Sequence, residues 1–203
     1  MLRRWRVLPL SVLDALLELL AARQPQVVSD PGRPEAAVAL LLAPDPDRLL
    51  LIRRADRDGD PWSGQLALPG GRRDRVDADL RATAIRETEE EVGIVVDPAT
   101  HQATLDDLAP VHAALPPIMV RPFIFRVELH TDLRLSHEVT SATWVTLAAL
   151  TAPGVYRESE ILVREAPMVV SGYHLGEGLL WGMTERILTP VIRSWAELIS
   201  GNR

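Results

Sequence analysis

Residues 66–94 constrain this chain more than any other stretch. They read LALPGG, then RRDRVDADLRATA, then IRETEEEVGI. A double-glycine turn leads through a charged loop into a helix. Near its end the helix carries Arg86, Glu87, Glu89, Glu90 and Glu91, and Gly93 stops it. At 100° per residue, Glu87 and Glu91 lie about 40° apart, with Glu90 about 60° to the other side of Glu87. These three share one face, and Ile85, Thr88 and Val92 take the opposite one. Like charges three and four residues apart cost a helix a few tenths of a kcal/mol per pair. The negative end of the macrodipole is the worst place for them. A solvated acidic surface is one account of such a run. A hard divalent cation is the other, because carboxylate oxygens are what Mg²⁺ and Mn²⁺ prefer. Gly70 and Gly71 sit one loop earlier, where glycine permits the close backbone approach that would bring carbonyls and amides to the same spot.

Composition bounds the rest. A chain of 203 residues, 47% hydrophobic and 25% charged, suits a soluble domain with a sizeable core. The net charge of −6 offers no general attraction to nucleic acid. All 22 basic residues are arginine, so lysine chemistry is excluded, P-loops and Schiff bases included. With no cysteine, disulfides, thiol nucleophiles and zinc–thiolate sites are excluded too. His101, His112, His130, His137 and His174 show no metal-ligand spacing and read as surface or structural. The first 22 residues are basic and then apolar, like a signal peptide. Asp14 and Glu18 break the apolar run, though, and Leu13, Leu16, Leu17 and Leu20 fall at helical spacing behind a capping Ser11. An amphipathic helix is expected there, no run is long enough to span a membrane, and a cytoplasmic protein is expected.

Along the chain, 25–34 reads as a linker, 35–43 as a buried strand, and 48–53 as a second strand hairpin-paired with the first. A short strand at 66–68 runs into the glycine turn. The helix covers 79–92, capped by Asp77 or Asp79. Strands are expected near 103–105, at 118–129 with a bulge or sheet edge at Pro122, and at 142–145. A short helix follows at 146–150. Residues 161–170 and 172–181 read as a hairpin turning at Ser171-Gly172, and 184–199 as a last helix kinked or broken at Pro190. Strands dominate without regular alternation, which predicts an α/β (α+β) domain. Residues 1–34 form an N-terminal helix and linker, and 35–203 the domain proper.

Gly71, followed by Arg86-Glu87-Thr88-Glu89-Glu90-Glu91-Val92-Gly93-Ile94, resembles the Nudix box, G-x5-E-x7-R-E-U-x-E-E-x-G-U. The second half matches at every fixed position except Thr88, where an aliphatic residue is usual. The first half departs. The spacing from Gly71 to Arg86 is one residue longer, and Ala78 stands where the box has Glu, with Asp77 or Asp79 as substitutes. More of the chain is similar to the coenzyme A pyrophosphatase-like branch. Leu50-Leu51-Ile52-Arg53-Arg54 resembles its L-L-x-x-R-S motif, with Arg54 for Ser. Residues 64–71 (GQLALPGG) resemble G-x3-F-P-G-G, with Leu68 for Phe. The longer loop shows Gly71, Arg73, Asp74, Asp77 and Asp79 in the form G-G-x-R-D-x-x-D-x-D. Ser136-His137-Glu138-Val139 with Trp144-Val145-Thr146-Leu147, and Leu180-Trp181-Gly182-Met183-Thr184, complete the likeness over about 35–192.

The resemblance implies a Nudix fold, a mixed sheet sandwiched between helices. It implies hydrolysis of the diphosphate bond of coenzyme A or a derivative, with ADP-ribose, NADH, dinucleoside polyphosphates or nucleotides as alternative substrates. A silent Nudix-fold binding module is the non-enzymatic alternative. Glu87, Glu90, Glu91 and Gly71 would hold Mg²⁺ or Mn²⁺. Arg86 would position a glutamate, and Glu90 or an acid outside the helix would be the general base. Gly70 and Gly71 would contact substrate. Arg53 and Arg54, or Arg72, Arg73 and Arg75, would meet a 3′-phosphate, against the plainer reading of solvated arginines. Glu138 reads as a surface residue, with a late acid that reaches the site as the alternative, Trp62 as a base-stacking or loop-packing residue, and Trp181 as core. The partner is a small-molecule nucleoside diphosphate, with no nucleic acid or membrane, and homodimerisation is left open.

Overall fold

The computed structural model describes residues 11–30, 32–60, 62–111, 115–163 and 166–201. The first ten residues, and with them part of the expected basic N-terminus, lie outside that set, as does His112.

Helix α1 (Val12–Ala21) is amphipathic as its leucine spacing predicts. The Ser11 hydroxyl accepts from the Asp14 amide and caps it, and Leu13, Leu16, Leu17 and Leu20 are buried. Two apolar strands follow, β1 (Glu35–Ala43) and β2 (Arg48–Arg54). Their period-2 alternation splits the core. Leu40, Leu42, Leu49 and Leu51 face α1 and the last helix, α4 (Gly182–Gly201). Ala37, Ala39, Leu41, Leu50 and Ile52 face the glutamate helix, α2 (Leu80–Val92). The sheet is therefore sandwiched between helices, as expected.

Among the described residues this sheet has seven strands. β1 runs parallel to β6 (Met119–Arg126), while the other pairings are antiparallel, so the sheet is mixed. The expected β1–β2 hairpin holds only at its turn, with Leu42 opposite Leu49 and Ala43 opposite Arg48. Beyond that the two strands part. β2 pairs with β7 (Val139–Thr146), and the segment carrying the glycines fills the fork. β3 (Leu66–Ala67) pairs with β2, and β4 (Gly70–Arg72) with β1. What reads as a turn is thus a second strand stitched to the sheet. β6 is not an edge strand: it lies between β1 and β5 (His101–Thr104). The irregularity expected at Pro122 falls on its neighbour, between His101 and Ala103.

A second, three-stranded sheet comprises β8 (Tyr156–Val163), β9 (Ala166–Leu175) and β10 (Gly178–Trp181). Ser171-Gly172 is not a turn but the interior of β9. Glycine is required there because a Cβ would lie 2.7 Å from the Leu180 carbonyl oxygen of the neighbouring strand. The Tyr156 hydroxyl donates to the buried Glu185 carboxylate at 2.9 Å and fastens this sheet to the start of α4, while Thr189 of the same helix donates to that carboxylate at 2.7 Å. Pro190 lies within α4, which runs on to Gly201 without breaking. Trp181, expected in the core, is only partly buried.

Candidate functional site

Glycines in β4 bring the sheet to within contact of α2. Gly70 has φ 150°, and a Cβ there would press on the backbone of Ala37 and Val38 in β1. Gly71 is needed for a different reason: a Cβ would lie 2.5–2.6 Å from the Glu87 carboxylate. The first glycine lets the chain fit the sheet, and the second leaves room for an acid.

Asp79 caps α2 by accepting from the Ala82 amide, and Gly93 ends it in the left-handed conformation. Thr88 fills the usual aliphatic position while fully buried, because its hydroxyl donates to the Ala84 carbonyl at 2.7 Å. The last carbonyls of the helix would lack partners. The Arg134 amide bonds the Val92 carbonyl and the Ser136 amide that of Glu91, both at 3.0 Å. The loop that satisfies the helix end thereby delivers Glu138 to the site.

The acids do not act as one face. Glu91 is 3% exposed, and its Oε2 accepts from the Gly70 amide at 2.8 Å. Burial pushes its carboxyl up to about 8, and the neighbouring Glu87 and Glu138 charges add to the shift. Burial pushes Glu87 up as well, against the pull of Arg86. Glu90 turns away: its side chain is 58% exposed and pairs with Arg86 at 2.8 Å. Arg86 organises the group. Its Nε and Nη2 meet both oxygens of buried Asp77 at 2.9 and 3.0 Å, and it also pairs with Glu87 at 3.0 Å. That bidentate contact holds the Asp77 carboxyl down at about 2. Asp77 thus partners the box arginine although Ala78 occupies the box position.

Glu87, Glu91, Gly70 and Gly71 line one cleft of about 320 Å³, together with Arg54, Gln65, Arg72 and Glu138. The rest of the lining includes an apolar patch: Ile118, Val120, Trp62 and Met183 pack with Ala36 of β1. Arg54 pairs with Asp60 at 2.7 Å. Arg53 lies outside the cleft, its guanidinium committed to the carbonyl oxygens of Gly64 and Glu177. Arg73 also lies outside, paired with Glu35 at 3.0 Å. Glu138, read from sequence as a surface residue, sits at the cleft and pairs with Arg57 at 2.8 Å. The sequence signal for this is the motif Ser136-His137-Glu138-Val139, which leaves a late acid at the site as the alternative reading.

These groups offer hard oxygen donors alone, the set that Mg²⁺ and Mn²⁺ take. Two carboxyls, Glu91 buried and Glu87 partly so, raised first by burial and then by neighbouring acids, are what a cation would offset. Glu87, Glu91 and Glu138 face the cleft without closing on one point. Among the described residues, no three acidic or imidazole side chains form a compact cation cage.

A family model described as the NUDIX domain matches residues 32–165. An uncharacterized protein of Schizosaccharomyces pombe is 36% identical over 140 residues, covering 66% of this chain; the chain spans 41% of that protein's length. A protein of Photorhabdus laumondii named as an uncharacterized Nudix hydrolase, NudL, is 31% identical over 165 residues, covering 81% of this chain and 86% of the relative. Among solved structures, a MutT/nudix family protein from Enterococcus faecalis superposes with a TM-score of 0.58 at 18% identity, over 94% of this chain and 70% of its own. A bifunctional NMN adenylyltransferase/ADP ribose pyrophosphatase from Francisella tularensis, complexed with AMP and a Mn ion, gives 0.54 at 13% identity, over 91% of this chain and 46% of its own. At such identities these two establish the fold. With the family match running through the glycine strand, the glutamate helix and the loop that carries Glu138, the chain belongs to the Nudix family.

Proposed function

We propose that the chain is a metal-dependent pyrophosphohydrolase that cleaves the diphosphate bond of coenzyme A or a derivative, giving 4′-phosphopantetheine and 3′,5′-ADP. One observation carries the reading. Carboxylates (Glu87, Glu91, Glu138), the glycine strand and an apolar patch line one and the same cleft. Such a cleft suits a molecule with a diphosphate at one end and apolar or aromatic matter at the other. The coenzyme A type is favoured because segments resembling that branch's motifs supply the cleft: Gln65–Gly71, Glu138, and Met183-Thr184.

Glu87, Glu91 and the backbone at Gly71 would hold Mg²⁺ or Mn²⁺, with Glu138 beside them. The ion supplies charge neutralisation on the diphosphate and a bound water of lowered pKa. Arg86 keeps Glu87 turned to the cleft, and Asp77 keeps Arg86 in place. Arg54 lends positive charge in the same cleft. Glu138 is the better-placed general base than Glu90. Arg57 holds its Oε1, which leaves Oε2 to accept the proton of the attacking water, while Glu90 lines no part of the cleft.

A second reading, another nucleoside diphosphate derivative such as ADP-ribose or NADH, is favoured by Arg53, which is tied to carbonyls and so not free for an extra phosphate. Hydrolysis of coenzyme A, ADP-ribose and NADH with Mg²⁺ or Mn²⁺, products separated by chromatography, distinguishes them. The coenzyme A reading expects 3′,5′-ADP as the main product. Absence of product from every substrate would overturn the enzymatic reading.

A further inference from the structure

Where the glycine strand ends lies a second depression, of about 430 Å³, bounded by Arg33, Pro34, Glu35, Arg72, Arg73, Asp74, Arg75 and Asp77. It shares Arg72 with the catalytic cleft and is otherwise separate from it. Four arginines around one hollow are unexpected on a chain of net charge −6. The acids present do not cancel them. Glu35 is taken by Arg73, and Asp77 by Arg86 from outside the hollow. Asp74 accepts from the Val76 amide and keeps its charge, one carboxylate against the three arginines that remain, Arg33, Arg72 and Arg75. Arg33 donates its Nε to the Pro117 carbonyl, which fixes it without neutralising it. Arg72 and Arg75 have no ion-pair partner among the described residues. Guanidiniums in excess of the acids at a hollow that adjoins a diphosphate site are suited to a further phosphate, which they bind with charge-assisted hydrogen bonds.

We infer that the hollow bounded by Arg33, Arg72 and Arg75 is a second anion subsite, which receives a phosphomonoester of the substrate while the neighbouring cleft holds its diphosphate. The inference rests on the pyrophosphohydrolase reading and deepens it. The preferred substrate carries a third phosphate apart from the scissile diphosphate, and Arg72 marks the passage between the two compartments.

Arg75 is exposed and belongs to the hollow alone, so it is the residue to change. Kinetics of wild type, Arg75→Glu and Arg75→Lys on coenzyme A and dephospho-coenzyme A form the test. The wild type is expected to favour coenzyme A by about tenfold in kcat/KM, through KM. Arg75→Glu should abolish that preference and leave dephospho-coenzyme A hydrolysis unchanged, and Arg75→Lys should retain most of it. A wild type indifferent to the phosphate, or an Arg75→Glu that slows both substrates alike, overturns the subsite. If neither compound is hydrolysed, the coenzyme A reading fails by itself, and the subsite is then judged by calorimetric binding of 3′,5′-ADP against 5′-AMP. Tighter binding of 3′,5′-ADP that Arg75→Glu removes sustains it, and equal binding of the two overturns it.

Discussion

Glu91 is the residue where stability and the proposed chemistry pull apart. Its carboxyl is buried, held by one amide, and raised to about 8 from an ordinary value near 4.5. Because the folded value lies above the unfolded one, folding retains a proton that the unfolded chain gives up. Its contribution is complete below pH ~4.5 and is lost as pH rises to about 8. In chelator, urea denaturation of the wild type should therefore show stability falling by a few kcal/mol between pH 5 and pH 8. Glu91→Gln keeps an oxygen for the Gly70 amide but no charge, so that part of the slope should vanish while activity drops by ~10³ or more. A slope equal to wild type would refute the burial argument, and full activity would refute the ligand assignment. Asp77 has the opposite sign. Held down at about 2, it contributes above pH ~4 and loses that contribution as pH falls toward 2. Asp77→Ala removes the bidentate partner of Arg86, which keeps Glu87 and Glu90, and should cost about 1.5–3 kcal/mol by thermal or urea unfolding. An unchanged midpoint would count against the bidentate pair.

At the scale of elements, β4 makes the sharpest prediction. Gly70 and Gly71 are adjacent and chemically identical, yet they answer to different neighbours. A Cβ at Gly70 meets the backbone of β1, which cannot move aside, in a conformation that side chains rarely adopt. The atoms nearest a Cβ at Gly71 all belong to the end of the Glu87 side chain, which can swing away. Gly70→Ala should lower stability by ~2–4 kcal/mol. Gly71→Ala should fold with a nearly unchanged melting temperature and lose at least tenfold in kcat/KM, because Glu87 is displaced from the cleft. The reverse pattern would show that the two roles are misassigned. This strand also shows what was legible in the sequence. The helix, its Asp79 cap and its Gly93 stop could be read because local capping chemistry decides them. The partition of the acids could not. That Glu91 is buried, Glu90 is in solvent and Glu138 is at the cleft depends on which elements pack above α2. Ser171-Gly172 misleads for the same reason: its glycine serves a neighbouring strand, which a turn signal cannot distinguish from a reversal of the chain.

Over the whole molecule, the cleft is assembled from pieces far apart in sequence: the floor from β1 and β4, the acids from α2 and the 134–138 loop, and the apolar wall from Trp62, β6 and the start of α4. The position of α4 therefore matters to the site, and α1 is what it rests on. Leu13, Leu16, Leu17 and Leu20 share one core with Ile187, Leu188, Val191 and Ile192 of α4, so the N-terminal helix is packed into the body of the fold. The linker is tied down too: the Val28 amide donates to Asp107, itself buried against Arg121 at 2.7 Å. We therefore expect residues 11–34 to belong to the same cooperative unit as the rest of the chain. Leu16→Ala removes a fully buried side chain and should cost about 2–5 kcal/mol. If α1 only stabilises, kcat and KM at low temperature stay at wild-type values while the melting temperature drops. If α1 also sets where α4 begins, KM rises for substrates that reach the Met183 wall, and short diphosphates that do not reach it are unaffected. A melting temperature equal to wild type would show that α1 packs on a core that does not depend on it.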